Sequence, residues 1–269
     1  MVKKMIPVER RQQILAYLQQ HGVAKSSTLI ELFDSSEATI RRDMEWLEHH
    51  NLIERTHGGA ILIQSMQHEA IYNASASFHQ EEKKWIAQKA IQFIENGDMV
   101  FINNGTTTTA VMSAIHNRPD LRDVTIVTNN VSAAMAAQDL EIKIILLGGL
   151  FRPLSTSIVG NFATQNLRQV YANKAILGMD GVANRFGCTS PISDEAEISR
   201  LMVNQCLGQA VIVADHSKWG KVAQYRIASI DEFDVFVSDI GLPDEAFESL
   251  EGNDIEVILA GPDQPEGKS

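Results

Sequence analysis

Thr39-Ile40-Arg41-Arg42-Asp43, followed twelve residues later by Arg55-Thr56-His57-Gly58-Gly59-Ala60, brings three guanidinium groups and several short hydroxyls into one stretch of chain. Arginine forks reach the O6 and N7 acceptors of guanine, and Ser or Thr hydroxyls bond phosphate oxygens or base edges. Double-stranded DNA is the partner that such a set suits. On this reading Ser36, Ala38, Thr39, Arg41 and Arg42 enter a groove, while Arg55 and His57 lie over the sugar-phosphate backbone.

A second group of polar residues is scattered along the rest of the chain, each member just behind a short apolar run. It comprises Asn103-Asn104-Gly105-Thr106-Thr107-Thr108-Thr109, Thr128-Asn129-Asn130, Gly148-Gly149, Gly178-Met179-Asp180-Gly181 and Asp215-His216-Ser217-Lys218. The Thr-rich run offers an anion a glycine for close approach, several hydroxyls and the N–H groups of a helix start. A phosphate fits there. Each motif alone also has a plainer reading, since glycines at strand ends are commonly turns and a Thr-rich loop is commonly a helix cap.

Ordinary elements must hold these side chains. Residues 10–20 put Ile14, Leu15 and Leu18 on one helical face, and His21-Gly22 is a stop signal. Ser26 and Ser27 are expected to cap a short helix carrying Leu29, Ile30, Leu32 and Phe33, ended by Asp34-Ser35. Ser36 then caps a third helix to about residue 50. Ile40, Met44 and Leu47 recur on it at i, i+4, i+7, so they face a core and turn Ala38, Arg42 and Glu45 outward, with Arg41 on the flank. Residues 52–56 and 60–63 form a hairpin around His57-Gly58-Gly59, the wing of a winged helix-turn-helix.

Residues 64–80 are polar, rich in Ser and Ala and without a clear period, as in a connector between domains. Helical spacing returns over 81–95 through Trp85, Ile86, Ala90 and Ile94. Short apolar runs at 99–102, 124–128, 142–147, 175–177, 211–214 and 235–237 then alternate with amphipathic stretches, the pattern of an α/β layer with a largely parallel sheet. The expected organisation is a DNA-binding domain at 1–63, a linker at 64–80, an α/β domain at 81–260 and a flexible tail at 261–269. In such a sheet, ligands gather where strands end and helices begin.

Bulk properties narrow the class. The chain of 269 residues is 44% hydrophobic and 21% charged, an ordinary composition for a protein with buried cores. No apolar stretch approaches the ~18 residues of a membrane span, and residues 1–7 turn polar too soon for a signal peptide, so a cytoplasmic location and no membrane partner are expected. Cys188 and Cys206 stand without a CxxC or histidines at ligand spacing, so they are read as small buried hydrophobes, with no metal and no cofactor expected. The net charge of −11 disfavours DNA until it is divided: of 23 basic and 34 acidic residues, eight and eight fall in 1–60, leaving 15 and 26 beyond. The excess acid sits outside the first module, where it keeps non-specific DNA affinity low.

Arg10-x3-Ile14-x3-Leu18 and, after seventeen further residues, Ser36-x2-Thr39-Ile40-Arg41-Arg42-Asp43-Met44 together resemble the signature of the DeoR family of bacterial transcriptional regulators. The strand-end motifs, in their order, resemble that family's sensor domain, so the likeness reaches to about residue 260. It implies an α/β fold like that of ribose-5-phosphate isomerase and a phosphorylated sugar as effector. It further implies that Gly105, Thr106, Thr107 and Thr108 hold the effector phosphate, that Asp180 and Lys218 contact its hydroxyls or charge, and that Asn103, Asn129, Gly149 and Glu195 belong to the same site. Two departures stand out: Asp34-Ser35, where the family usually has Gly or Asn and then an aliphatic residue, and Asn103, where it commonly has Asp.

An isomerase-like enzyme is the rival, with Asp180, Glu195 and Lys218 as an acid/base set beside a phosphate loop. Residues 183–188 (Ala-Asn-Arg-Phe-Gly-Cys), however, lack the lysine that the isomerases carry in the corresponding turn, and an isomerase has no use for residues 1–60. The expected function is a DNA-binding regulator, a repressor of a carbohydrate-metabolism operon relieved by a sugar phosphate. Reading heads this small bind weakly alone, so a homodimer or homotetramer on repeated or palindromic half-sites is expected.

Overall fold

The computed structural model describes residues 7–49, 53–56, 58–62 and 78–262. The chain forms two compact units, Met1–Ser75 and Ala76–Ser269. Apart from residues 78–80 and 261–262, the expected linker and tail lie outside the described residues.

In the first unit α1 (Pro7–His21) begins on a proline, whose fixed φ and missing N–H suit the opening turn of a helix. It is followed by β1 (Val23–Lys25), α2 (Ser26–Leu32), α3 (Glu37–His49), β2 (Ile53–Thr56) and β3 (Gly59–Leu62). Ile14, Leu18, Leu29, Ile40, Met44 and Leu47 close over Ile53 and Ala60 of the wing in a single core. Helical spacing exposes this core in the sequence; β1 is too short to show any period. It pairs antiparallel with β3, making a three-stranded sheet in the order β1-β3-β2.

That extra strand corrects one expectation. Ser26 and Ser27 do not cap α2: the N-cap is Lys25, without a side-chain cap, because the chain enters the helix directly from a strand and the Ser26 N–H donates to the Gly58 carbonyl at 2.9 Å. The departure at Asp34 leaves the turn in place. Asp34 takes φ 43°, the left-handed conformation that Gly or Asn adopts more easily, and the Ser35 N–H returns to the Ile30 carbonyl at 3.2 Å.

The larger unit is built on seven parallel strands in the order β15-β14-β12-β9-β4-β5-β6. These are β4 (Met99–Ile102), β5 (Thr125–Thr128), β6 (Lys143–Leu146), β9 (Ala172–Gly178), β12 (Cys206–Val213), β14 (Val235–Asp239) and β15 (Glu256–Ala260). Side chains alternate between the sheet's two faces. Val100, Ile102, Ile126, Val211 and Val213 pack with α4 (Gln80–Ala90), α5 (Thr106–Ala114) and α6 (Val131–Ala136). Phe101, Val127, Ala175, Leu177 and Phe236 pack on the other side with α7 (Asn161–Leu167), α8 (Ser193–Asn204) and α9 (Asp244–Glu251). Burial on both faces explains why the strands read as continuous apolar runs.

Sequence periodicity did not reveal β15 or the accessory strands. β7 (Leu150–Arg152) and β8 (Ser157–Val159) form a hairpin behind β6, and β10 (Gly181–Ala183), β11 (Gly187–Ser190) and β13 (Tyr225–Ala228) make a small antiparallel sheet. At three or four residues each, the accessory strands are too short for an alternation to register. No helix among the described residues is long and apolar enough to cross a membrane.

One ion-pair set fixes α1 to α3. Asp43 is buried, and its two oxygens accept from Arg10 Nε at 2.6 Å and Arg11 Nε at 2.8 Å, with the Arg11 guanidinium also 4.4 Å from the Trp46 ring centroid. Removing one partner of a buried pair leaves uncompensated charge and costs about 3 kcal/mol or more. Asp43→Ala should therefore lower the stability of the first unit by about that amount, read by urea unfolding. An unchanged midpoint would show that the contact contributes nothing.

Candidate nucleic-acid interface and effector site

The start of α3 is a capped helix end. The Ser36 carbonyl accepts from the Thr39 and Ile40 N–H groups, and its hydroxyl accepts the Thr39 N–H at 3.3 Å and lies 2.8 Å from the Thr39 hydroxyl. Ser36, Ala38, Arg41, Arg42 and Glu45 are exposed, whereas Asp43 points inward to Arg10 and Arg11. The acid within the motif is thus engaged with α1 and not with Arg41 or Arg42. Arg41 Nε donates to Glu45 Oε1 at 2.9 Å, and Arg55 Nη1 on β2 lies 3.5 Å from the same oxygen and 3.6 Å from Glu48 Oε2. The Arg41 hydrogen bond, opposed by desolvation and aided by the charges of Arg55 and Arg42, holds Glu45 below the usual carboxylate range.

Between α3 and the wing runs a groove of about 190 Å³ lined by Ser26, Glu37, Ile40, Arg41, Met44, Arg55, Thr56 and Gly59. Phosphate oxygens arriving here would compete with Glu45 for two guanidinium groups that are already aligned. His57 lies outside the described residues. Sequence reasoning missed the roles of Asp43, Arg10 and Arg11; the signal was an acid set amid arginines on the face that carries Ile40 and Leu47.

In the larger unit, the end of β4 runs through Asn103 and Asn104 to Gly105, which caps α5 without any side-chain hydrogen bond. Gly105 takes φ +151°, a conformation that side chains rarely adopt, and this turns the chain abruptly into the helix. The Thr109 N–H bonds the Gly105 carbonyl at 3.0 Å, and the N–H groups of the preceding turn have no acceptor within the helix. Thr107 and Thr108 are both buried. Thr108 Oγ1 donates within the loop, with the Asn103 carbonyl at 2.8 Å and the Gly105 carbonyl at 3.0 Å, whereas no bond is formed by the Thr107 hydroxyl among the described residues. Thr108 therefore shapes the loop.

Asn103 is a clamp. Its Nδ2 donates to the Gly178 carbonyl and the Ser199 hydroxyl, both at 2.9 Å, and its Oδ1 accepts the Gly178 N–H at 2.8 Å. An ionised aspartate could not donate to Gly178, so the amide joins β4 to β9 in a way that a carboxylate here cannot. Glu195, in the first turn of α8, is buried among donors from separate segments. Its Oε1 accepts from Ser155 at 2.5 Å and from Ser157 at 3.4 Å, and Oε2 accepts from Asn104 Nδ2 at 2.9 Å. Arg152 Nε lies 3.3 Å from Oε1 but is not aligned for a hydrogen bond. Asn129 Nδ2 donates to Asn104 Oδ1 at 3.2 Å and to the Ile158 carbonyl at 3.1 Å, while its own Oδ1 is buried with no donor among the described residues.

Asn103, Asn104, Asp180, Ser190, Glu195 and Ser199 line one small cavity, where Ser190 donates to Asp180 at 3.0 Å. Gly149 serves packing: its backbone passes so close to β8 and α7 that a Cβ would lie 2.7 Å from the Val159 carbonyl oxygen. Lys218 belongs to a different group, in the turn His216–Lys218 after β12. There Asp215 is buried, which raises its pKa, but the Ser217 hydroxyl and the charges of Lys218, Lys83 and His79 outweigh burial and leave it below the ordinary value. His216 Nδ1 sits 2.7 Å from Asp239 Oδ2, and its ring meets His79 edge-on at 4.7 Å between centroids. His79, Asp215 and His216 have ligand-type atoms within 4.8 Å of one another, the group among the described residues that could approach a metal ion. Sequence spacing hid it because His79 comes from far upstream. Lys83 and Lys218 already neutralise Asp215, which opposes a cation there.

Comparison with known proteins places this geometry. Residues 10–66 match the DeoR-like helix-turn-helix domain, and residues 78–240 match the DeoR C-terminal sensor domain. The HTH-type transcriptional repressor GlcR of Bacillus subtilis is 32% identical over 266 residues, covering 98% of this chain and 100% of that protein. The glycerol-3-phosphate regulon repressor of Escherichia coli is 33% identical over 258 residues, covering 95% and 100%. Among solved structures, ribose 5-phosphate isomerase A from Neisseria gonorrhoeae aligns with 53% of this chain and 53% of its own at 16% identity, with a TM-score of 0.38. With a helix-turn-helix module and a sensor domain matched in order along its length, the chain belongs to the DeoR family of transcriptional regulators.

Proposed function

We propose that this regulator represses a carbohydrate-metabolism operon in the cytoplasm and is released from its operator by a phosphorylated sugar bound at residues 103–108. The observation that carries the reading is the start of α5: a helix N-terminus with no side-chain cap, opened by Gly105 and flanked by the unengaged hydroxyl of Thr107. N–H groups at a helix start attract a dianion. Glu195, the acid beside the loop, is held by donors from Ser155, Ser157 and Asn104, which offset part of its charge there. Asn129 Oδ1, buried without a donor, takes a sugar hydroxyl, and Asp180 takes another. Lys218 supplies longer-range positive charge. The same ties occupy both carboxylate oxygens of Glu195, which supports a sensor without turnover.

In the first unit Ser36, Ala38, Thr39, Arg41 and Arg42 enter the major groove, and Arg55 holds the backbone beside them. Repression and release are then linked equilibria: an effector that favours the conformation with poorer operator contact weakens DNA binding by its own difference in affinity, typically ~1 to 3 kcal/mol. Two or more chains supply the paired reading heads.

Two substitutions test the assignments. Arg42→Ala should weaken binding to the native operator by about 1–3 kcal/mol without changing the melting temperature, measured by fluorescence anisotropy at physiological salt. Unaltered affinity would remove Arg42 from the reading set. Thr107→Val should blunt release by sugar phosphates while leaving effector-free DNA binding intact, read in the same assay across a panel of phosphorylated sugars. A normal dose response would reject the loop as the anion site.

A further inference from the structure

We propose that β6, β7 and the first turn of α7 form the face on which a second copy of this chain docks. The proposal deepens the paired-head reading above by naming where the copies meet. The large sheet ends at β6, whose outer side has no partner strand among the described residues. End strands left to water usually carry charge or proline. Here the strand is Lys143-Ile144-Ile145-Leu146, with Ile145 and Leu146 exposed. β7 follows with Leu150 and Phe151 exposed, and the close approach of Gly149 to Ala163 sets Phe162, 75% exposed, beside them. Alternation puts Ile145 and Leu146 on opposite faces of the strand, so exposed apolar groups flank the open edge of β6 on both sides and recur on β7.

Charge identifies the occupant. Residues 61–269 hold 26 of the 34 acidic residues, yet no Asp or Glu stands between Glu141 and Asp180, where the ionised residues are Lys143, Arg152, Arg168 and Lys174. Two copies of so acidic a unit repel one another over most of their surface and approach best where acid is missing. Lys143, on β6 itself, meets the negative field of the other copy, whereas Arg152, Arg168 and Lys174 are paired within the chain with Glu195, Glu197 and the Glu95–Asp98 pair; β6 laid antiparallel to its twin makes a self-complementary twofold contact that closes the sheet edge.

The face also connects to the effector loop. Ser155 and Ser157, on the hairpin formed by β7 and β8, hold Glu195, whose other oxygen is held by Asn104 next to Gly105. An anion that reorders residues 104–107 thus acts on the hairpin carrying Leu150 and Phe151.

Sedimentation equilibrium of the full chain, without DNA or effector, tests the proposal. The wild type should be a dimer or a multiple of one at micromolar concentration. Ile145→Glu with Phe151→Glu should raise the dimer dissociation constant about thirtyfold or more, while Leu207→Glu, at an exposed site on β12 outside this face, should not. A second measurement stands apart from folding of the double variant: Ile145→Cys, near the twofold axis, should crosslink to its twin through a short bis-maleimide where the wild type does not. A monomeric wild type, unchanged association of a folded double variant, or failure of the cysteine to crosslink would overturn the proposal. Loss of operator binding by an intact dimer would instead contradict the regulator reading and leave this face standing.

Discussion

Burying the carboxylate of Glu195 among the loops at the carboxyl ends of the parallel strands removes it from water at a cost of several kcal/mol, unless donors replace its hydration. Four side chains are drawn to it: Ser155 and Ser157 from the β7–β8 hairpin, Arg152 from the end of β7, and Asn104 from the loop that opens α5. That one charge gathers the pieces of the sensor site. Asn104 passes the connection to Asn129, and Asn103 beside it locks β4 to β9 through both sides of the Gly178 peptide. The loop ahead of α5 is consequently held from below while its helix-start N–H groups have no acceptor within the helix, the arrangement on which the proposed anion site rests.

Asp43 plays the matching part in the smaller unit. A buried acid accepts from two arginines of α1, while two arginines of the same α3 segment face outward. Helical phase along α3 turns Asp43 inward to the arginines of α1 and turns Arg41 and Arg42 outward. Glu45 and Glu48 hold Arg41 and Arg55 on the exposed side by partners at the surface, where exchange for phosphate is inexpensive.

Charge is partitioned as well as placed. A neutral reading module joined to an acidic sensor unit limits adhesion to arbitrary DNA, so binding must come from aligned contacts. The same acidity opposes the close approach of one sensor unit to another.

Much of this was legible in the residues themselves. Ile40, Met44 and Leu47 carry a 3.6-residue period that orients α3 by itself, and the buried strands declare themselves as apolar runs because both faces of the sheet are covered. The polar motifs fall at strand ends because a parallel sheet leaves its loops there, so the position of the Thr-rich loop was also readable. What each side chain does there was not. Whether Thr108 faces a ligand or its own loop, whether Asn103 meets an effector or Gly178, and whether Gly149 binds or merely packs depend on contacts between segments tens of residues apart. So does the meeting of His79 with His216, and of Asp43 with Arg10 and Arg11. Local periodicity is set by hydrogen bonding and burial along a few turns of chain and survives in the sequence; the pairing of donors with acceptors across the fold is settled only when packing brings distant segments within hydrogen-bond reach.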